Sequence, residues 1–229
     1  MGFSLYSKGM VLFNAHLHLS ASRPPDLPGI YNATDESQWQ QIIALYHAKN
    51  HIFPAIGIHP WFVQSASAHW EADMAHLLAT HSFLQIGEIG LDALKPGIEQ
   101  QEDLFIRQLQ LAKKYHRIAS IHAVRTLDRI RGIMEKISFC TPFILHDYHA
   151  TKVLTHSFCE LNAYFSIGRH FAPSHLDDIP LNRLLIETDA QDPTVLSPLA
   201  DKIAVTLGMT KQAFARQINV NVKELFHDN

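Results

Sequence analysis

Residues Val11–Ser20 read VLFNAHLHLS. Val11, Phe13, Ala15, Leu17 and Leu19 alternate with Leu12, Asn14, His16, His18 and Ser20. This is the two-residue period of a β-strand, whose side chains point alternately to opposite faces. One face is apolar throughout. The other turns polar toward its C-terminal end and carries two imidazoles one residue apart. Lysine, glutamate or threonine would serve equally well on a face that is merely solvated. The paired imidazoles therefore predict a site at the tip of a strand whose opposite face is buried.

Short β-rich runs of the same kind recur at GIYNAT (29–34), IFPAIGIHP (52–60), FLQIGEIGLD (83–92), RIASIHAV (117–124), PFILHDY (142–148), AYFSIG (163–168) and RLLIETD (183–189). Helical patterns lie between most of them. ESQWQQIIALYHAKN (36–50) puts Trp39, Ile42, Ile43 and Tyr46 on one side, and GIEQQEDLFIRQLQLAKKYH (97–116) makes a ridge of Phe105, Leu109 and Ala112 flanked by Leu104, Leu111 and Tyr115. Strand alternating with helix is the signature of a parallel sheet covered by helices, and eight strands in this length predict an α/β fold of the (β/α)8 TIM-type barrel class. SASRPPDLP (20–28) is too short and proline-rich for a crossover helix, so the first crossover helix is expected to be missing or replaced by a loop. After the last strand, VLSPLADKIAVTLGM (195–209) and TKQAFARQINVNVKELF (210–226) read as two C-terminal helices, the second capped by Thr210.

At 229 residues and 47% hydrophobic composition the chain can bury a barrel-sized core, and it is read as a single domain spanning 1–229. A formal charge of −3 and the lack of a basic stripe exclude a tight, sequence-independent grip on a long duplex. No run of eighteen apolar residues and no signal-peptide pattern stand out, so no membrane association and a cytoplasmic location are expected. Cys140 and Cys159 lack metal-type spacing and read as ordinary buried thiols. The NAT at Asn32–Thr34 matches a glycosylation acceptor but carries no weight without a secretion signal.

The chemistry sits at the strand ends, which line the mouth of a barrel. His16 and His18 end the first strand, Glu88 follows QIG, His122 ends RIASIH, His146 ends PFILH and Asp189 ends RLLIETD. Taken singly, each has a structural explanation: Glu88 as an ion-pair partner, Asp189 as a helix cap. Four imidazoles and two carboxylates at matching strand tips are not explained that way, because unpaired buried imidazole and carboxylate are costly. Imidazole with carboxylate is the ligand set of zinc, manganese or magnesium, and six ligands suit two divalent ions rather than one. The other histidines, His47, His51, His69, His76, His81, His116 and His227, fall on helices or their ends and read as solvated.

The segments NAHLHL, AIGIHP, IGEIGLD, QLQLAKKYHRIASIHAV, YFSIG and ETDAQD, in this order, resemble the TatD family of metal-dependent hydrolases within the amidohydrolase-like barrels, from about Leu12 to Phe226. The resemblance implies a (β/α)8 barrel, a pair of divalent ions and phosphodiester hydrolysis, typically as a deoxyribonuclease. By the same resemblance His16, His18 and Asp189 would hold one ion, His122 and His146 the other, and Glu88 would bridge. The chain departs from the family at Asn14, where aspartate is usual, at HDYHA (146–150) in place of HCFSG, and at Gln191 in place of proline. It departs again at Arg125, one residue beyond the usual arginine.

This ligand set predicts hydrolysis by metal-activated water, with Asp189 as the base and Glu88 at the centre. His59 is a candidate proton donor to phosphate or leaving group, set against a structural reading as a histidine buried against Pro60 and Trp61. Asp147, His149, Arg125, Arg169 and His170 lie just past strand ends, Arg169 being the best phosphate contact among them. Nucleic acid or another phosphodiester is the expected substrate, and no stable protein partner is expected. Two alternatives remain at this level: hydrolysis of a carbonyl bond (amide, ester or lactone) at the same kind of site, and metal binding without turnover.

Overall fold

A computed structural model describes residues 11–19, 27–48, 51–149, 151–189 and 192–227. Eight strands form one parallel sheet in sequence order: β1 (Asn14–His18), β2 (Gly29–Asn32), β3 (Ile52–Ile56), β4 (Gln85–Asp92), β5 (Ala119–Val124), β6 (Phe143–Leu145), β7 (Ala163–Ile167) and β8 (Leu184–Ile186). Each falls inside one of the eight runs singled out by the sequence. The helices are α1 (Trp39–Ala48), α2 (Trp70–Thr80), α3 (Ile98–Tyr115), α4 (Leu127–Lys136), α5 (Lys152–Glu160), the single turn α6 (Pro173–Leu176), α7 (Leu196–Thr206) and α8 (Lys211–His227). This is the expected (β/α)8 barrel with two C-terminal helices. Ala213 N–H donates to Thr210 Oγ1 at 3.1 Å, which is the cap anticipated for α8. The connection Ser20–Asp26, Gln191 and the side chains of His47 and His227 lie outside the described residues.

The alternation in Val11–Leu19 sets the layers. Phe13, Ala15 and Leu17 are buried on the outward face of β1, where Phe13 meets Phe53 and Phe226 with ring centroids 5.5 and 6.1 Å apart. Asn14 and His16 point inward and are wholly buried. On α3 the ridge of Phe105, Leu109 and Ala112 is buried as its spacing predicts. The same helix buries two glutamines that clamp backbone. The Gln108 amide accepts from Ile58 N–H at 2.8 Å and donates to Ile58 O at 3.2 Å, while Gln101 does the same with Asp92 at 2.8 and 3.2 Å. These clamps fix the chain just beyond β3 and at the end of β4, immediately beside the mouth. Gly90, at φ 144°, could not be another residue, since a Cβ there would lie 2.0 Å from the His122 carbonyl. That close approach sets the spacing of β4 and β5.

The barrel closes with little backbone pairing between β1 and β8: a bridge joins Leu17 and Asp189, and Asp189 N–H donates to His16 O at 3.0 Å. Asn14 supplies the rest. Its Nδ2 donates to Thr188 Oγ1 at 2.7 Å and its Oδ1 accepts from Thr188 N–H at 3.2 Å. Two expectations need correction. Cys140 is exposed, and Cys159 is half-buried, packed against the core from α5 without being enclosed by it. His51 and His81 are half-buried rather than solvated, whereas His69, His76 and His116 are exposed. Among the described residues no helix is long and apolar enough to cross a membrane.

Candidate metal centre

All six strand-tip residues converge. Two groups of three ligand atoms lie within 4.8 Å of one another, one formed by His16, His18 and Glu88 and the other by His59, Glu88 and His122. Around Glu88 Oε2, His18 Nε2 stands at 3.1 Å and His16 Nε2 at 3.4 Å, with the two nitrogens 3.2 Å apart. Asp189 Oδ1 completes this side at 3.3 Å from His18 Nε2 and 3.9 Å from His16 Nε2. Around Glu88 Oε1, His146 Nε2 lies at 2.9 Å, His122 Nδ1 at 3.0 Å and His59 Nε2 at 3.4 Å. His122 Nδ1 and His146 Nε2 are themselves 3.1 Å apart. One carboxylate thus presents an oxygen to each group.

These spacings fit a divalent ion. Ligands about 2.0–2.2 Å from a metal, at roughly tetrahedral to octahedral angles, stand about 3.0–3.5 Å from each other. The ring nitrogens facing away meet polar groups that orient the rings. His18 Nδ1–H donates to Asn32 O at 2.9 Å, so Nε2 is the nitrogen it turns to the centre. His16 Nδ1 meets Ser120 Oγ at 2.8 Å, and His146 Nδ1 faces Glu187 Oε1 at 3.3 Å. His122 turns Nε2 toward Asp92 Oδ2 at 3.5 Å, so Nδ1 is the nitrogen it offers. His59 is different. Its Nδ1 accepts from Trp61 N–H at 3.1 Å, so its Nε2 carries the proton and faces Glu88 as a donor. Proximity places His59 in a metal group, but its tautomer makes it a hydrogen-bond donor.

Burial would raise the Glu88 carboxyl, but His146 and His16 beside it hold it well below the usual carboxylate range. Burial opposes charge on His18 too, yet the Asp189 and Glu88 carboxylates raise it to about 10. Asp189 is pulled down to about 2: burial acts against this, and His18 together with His16 and His146 outweighs it. His16 and His59 are both lowered, chiefly by burial. Asp189 sits at φ 53°, Asp147 at 41° and Arg125 at 56°, so the chain leaves β8, β6 and β5 through left-handed residues.

The other anticipated contacts are less engaged. Arg125 is exposed, and Arg169 is exposed with its Nε donating to His170 Nε2 at 2.8 Å. Neither reaches the strand-tip residues. Asn14, read as a charge lost beside the site, instead closes the barrel seam. Four buried residues escaped the sequence reading: Asn32, Asp92, Ser120 and Glu187. Asp92 and Ser120 share the strand parity of Glu88 and His122, and Glu187 lies two residues before Asp189. One two-residue step back from His122 and Asp189 reaches Ser120 and Glu187, and two steps on from Glu88 reach Asp92, whereas Asn32 stands on a strand that offered no candidate.

A family model described as TatD related DNase matches residues 15–227. The chain is 26% identical over 174 residues to an uncharacterized metal-dependent hydrolase, YjjV, of Escherichia coli K12, covering 71% of this chain and 67% of that one. It is 24% identical over 224 residues to a protein of Pantoea sp. strain At-9b named 3'-5' ssDNA/RNA exonuclease TatD, covering 83% of this chain and 84% of that one. The crystal structure of the E. coli YjjV protein superposes with a TM-score of 0.84 at 20% identity over 93% of this chain and 97% of that one, which establishes the barrel. With nearly its whole length matched and with histidine and carboxylate groups able to hold metal at its strand tips, the chain belongs to the TatD-related family of metal-dependent hydrolases.

Proposed function

We propose that the chain is a phosphodiesterase that trims nucleic acid from one end, using two divalent ions, zinc, manganese or magnesium. The observation carrying this reading is the sharing of Glu88: its two oxygens face two separate sets of imidazole nitrogens, 2.9–3.4 Å away. His16, His18 and Asp189 are assigned to one ion, His122 and His146 to the other, and Glu88 to both. The exonuclease name carried by the Pantoea relative supports nucleic acid as the substrate. When bound, such an ion pair supplies hydroxide at neutral pH and polarises a phosphoryl oxygen.

The chain's own residues do the rest. Asp189, ionised and with 44% of its side chain exposed, is assigned to accept the proton of the attacking water. His59 offers its Nε2–H toward the centre from a buried, neutral ring, which suits donation to a phosphate or leaving oxygen. Asn32, Ser120, Glu187 and Asp92 hold the ligand rings in register from behind. Arg125 and Arg169, on exposed loops at the mouth, are assigned to more distant phosphates of the substrate.

The test is nucleotide release from a short single-stranded DNA with manganese or magnesium, comparing the natural chain with Asp189→Asn. The variant is expected to lose about 10²–10⁴-fold in kcat while still binding metal. An unchanged kcat would remove Asp189 as the base. No release by the natural chain, with two ions bound, would refute the nuclease reading.

A further inference from the structure

Beside the centre stands an aromatic side chain that the chemistry of hydrolysis does not use. Trp61 follows His59 and Pro60 in the 3-10 turn Pro60–Ser65 that leaves β3, and it is 54% exposed. Phe62 and Leu94, on the loops after β3 and β4, are exposed as well. The indole is nonetheless held in place. Its Nε1–H donates to Asp92 Oδ2 at 2.6 Å, and its backbone N–H donates to His59 Nδ1 at 3.1 Å. Asp92 is fixed in turn: its Oδ1 accepts from Leu94 N–H at 2.8 Å, and its backbone is clamped by Gln101. The Trp61 ring centroid lies 5.2 Å from that of His59 and 6.5 Å from that of His122, and Lys95 Nζ sits 4.3 Å from the indole centroid.

We propose that Trp61 is a stacking platform for a nucleobase of the substrate, with Lys95 as the cation that meets the adjoining phosphate. An indole anchored at its polar edge, half in water and with only the mobile Lys95 ammonium over its ring, adds little to the core, because the half left in water buries nothing. A fixed, exposed ring has the form of the aromatic platforms on which single-stranded nucleic acids stack, with a cation nearby for the backbone. Every base has a π-face, so such a platform favours nucleotides over other phosphodiesters without selecting a sequence. The separation from His122 keeps the stacked base within one nucleotide of the phosphate being cut. Asp92 touches both Trp61 and His122, so the platform is held in register with the centre. This proposal rests on the nuclease reading and assigns it a base-binding subsite.

Three tryptophans are present, and the other two, Trp39 and Trp70, are buried, so quenching of indole emission by a bound base reports Trp61. The experiment titrates the full chain with a single-stranded oligonucleotide and with the same oligonucleotide made abasic at its last two positions. It follows emission, the anisotropy of a labelled strand and, with manganese, KM and kcat. The natural chain is expected to be quenched by the intact strand and not by the abasic one. Trp61→Ala is expected to raise KM for the intact strand by about 10- to 100-fold with kcat nearly kept, so that the preference for intact over abasic strand collapses. Trp61→Phe, which keeps a ring but loses the N–H to Asp92, is expected to retain most of that preference. Strand binding without quenching, or the same preference in Trp61→Ala as in the natural chain, would overturn the platform and leave the nuclease reading standing. Equal losses in the phenylalanine and alanine variants would overturn it in favour of a positioning effect through Asp92. No binding or cleavage of either strand by the natural chain would refute both.

Discussion

Replacing Asn14 tests whether one side chain closes the barrel. Asn14 is fully buried, and Thr188, its partner across the seam, is 2% exposed. In Asn14→Ala the Thr188 N–H loses its acceptor at 3.2 Å and Thr188 Oγ1 loses its donor at 2.7 Å. A buried donor left unsatisfied costs about 1–3 kcal/mol and the second bond contributes about 1 kcal/mol, so the total is about 2–4 kcal/mol. In a chain of this size that corresponds to about 5–15 °C in Tm. Asn14→Asp is the informative companion. Its carboxylate still accepts from Thr188 N–H, and the Thr188 hydroxyl can turn to donate. Its cost is a buried charge, which nearby cations offset. The assay is urea and thermal unfolding followed by circular dichroism, in chelator and in manganese. The alanine variant should be destabilised in both conditions, and the gap between the aspartate variant and the natural chain should narrow with metal. An alanine variant within about 0.5 kcal/mol of the natural chain, the range of ordinary surface substitutions, would refute the role given to Asn14.

Three further outcomes are expected. Glu187→Gln removes the charge behind His146 Nδ1, where Glu187 Oε1 stands at 3.3 Å and also accepts from Asp147 N–H at 3.0 Å, so calorimetry should show about 10- to 100-fold weaker manganese binding with little change in fold. The His149 imidazole is raised above 6.5, first by its hydrogen bond to Asp147, so whatever the pair adds to stability is fully present below pH 6.5 and lost as pH rises through the raised value. An NMR titration should find the His149 midpoint above 6.5 in the natural chain and lower in Asp147→Asn, and an unmoved midpoint would dismiss the pairing. Of the two thiols, exposed Cys140 should react quickly with a thiol reagent and Cys159, raised chiefly by burial, more slowly.

The barrel was legible in the sequence because its two signals are local. A parallel strand buried on both faces leaves an apolar run such as FILH or LLIE, and a covering helix such as α3 leaves a ridge at 3.6-residue spacing. The six strand-tip residues were legible for the same reason, since polarity at the end of an apolar run has few uses other than a site. Asp92 and Glu187 were missed because their importance lies across strands. Glu187 matters through His146, 41 residues away, and Asp92 through Trp61, 31 residues away. The two-residue period puts both on an inward face, but nothing in the order of residues names the partner each one meets. Asn14 read as a lost charge because the family it resembles usually has aspartate there, whereas what decides its role is its neighbour in space, Thr188. The exposure of Trp61 was equally hidden, for an aromatic pair after His-Pro has the composition of a core.

The seam has one consequence for how the molecule is made. His16 and His18 stand on the first strand of the barrel and Asp189 just past the last, and the contact that joins these ends spans 174 residues. No contiguous fragment short of nearly the whole barrel contains both sides of that group. An emerging chain would carry imidazoles for most of its synthesis before the carboxylate that completes them arrived. Full affinity for the ion would then come late, as one of the last properties acquired, and its capture would register that the ring of strands had closed.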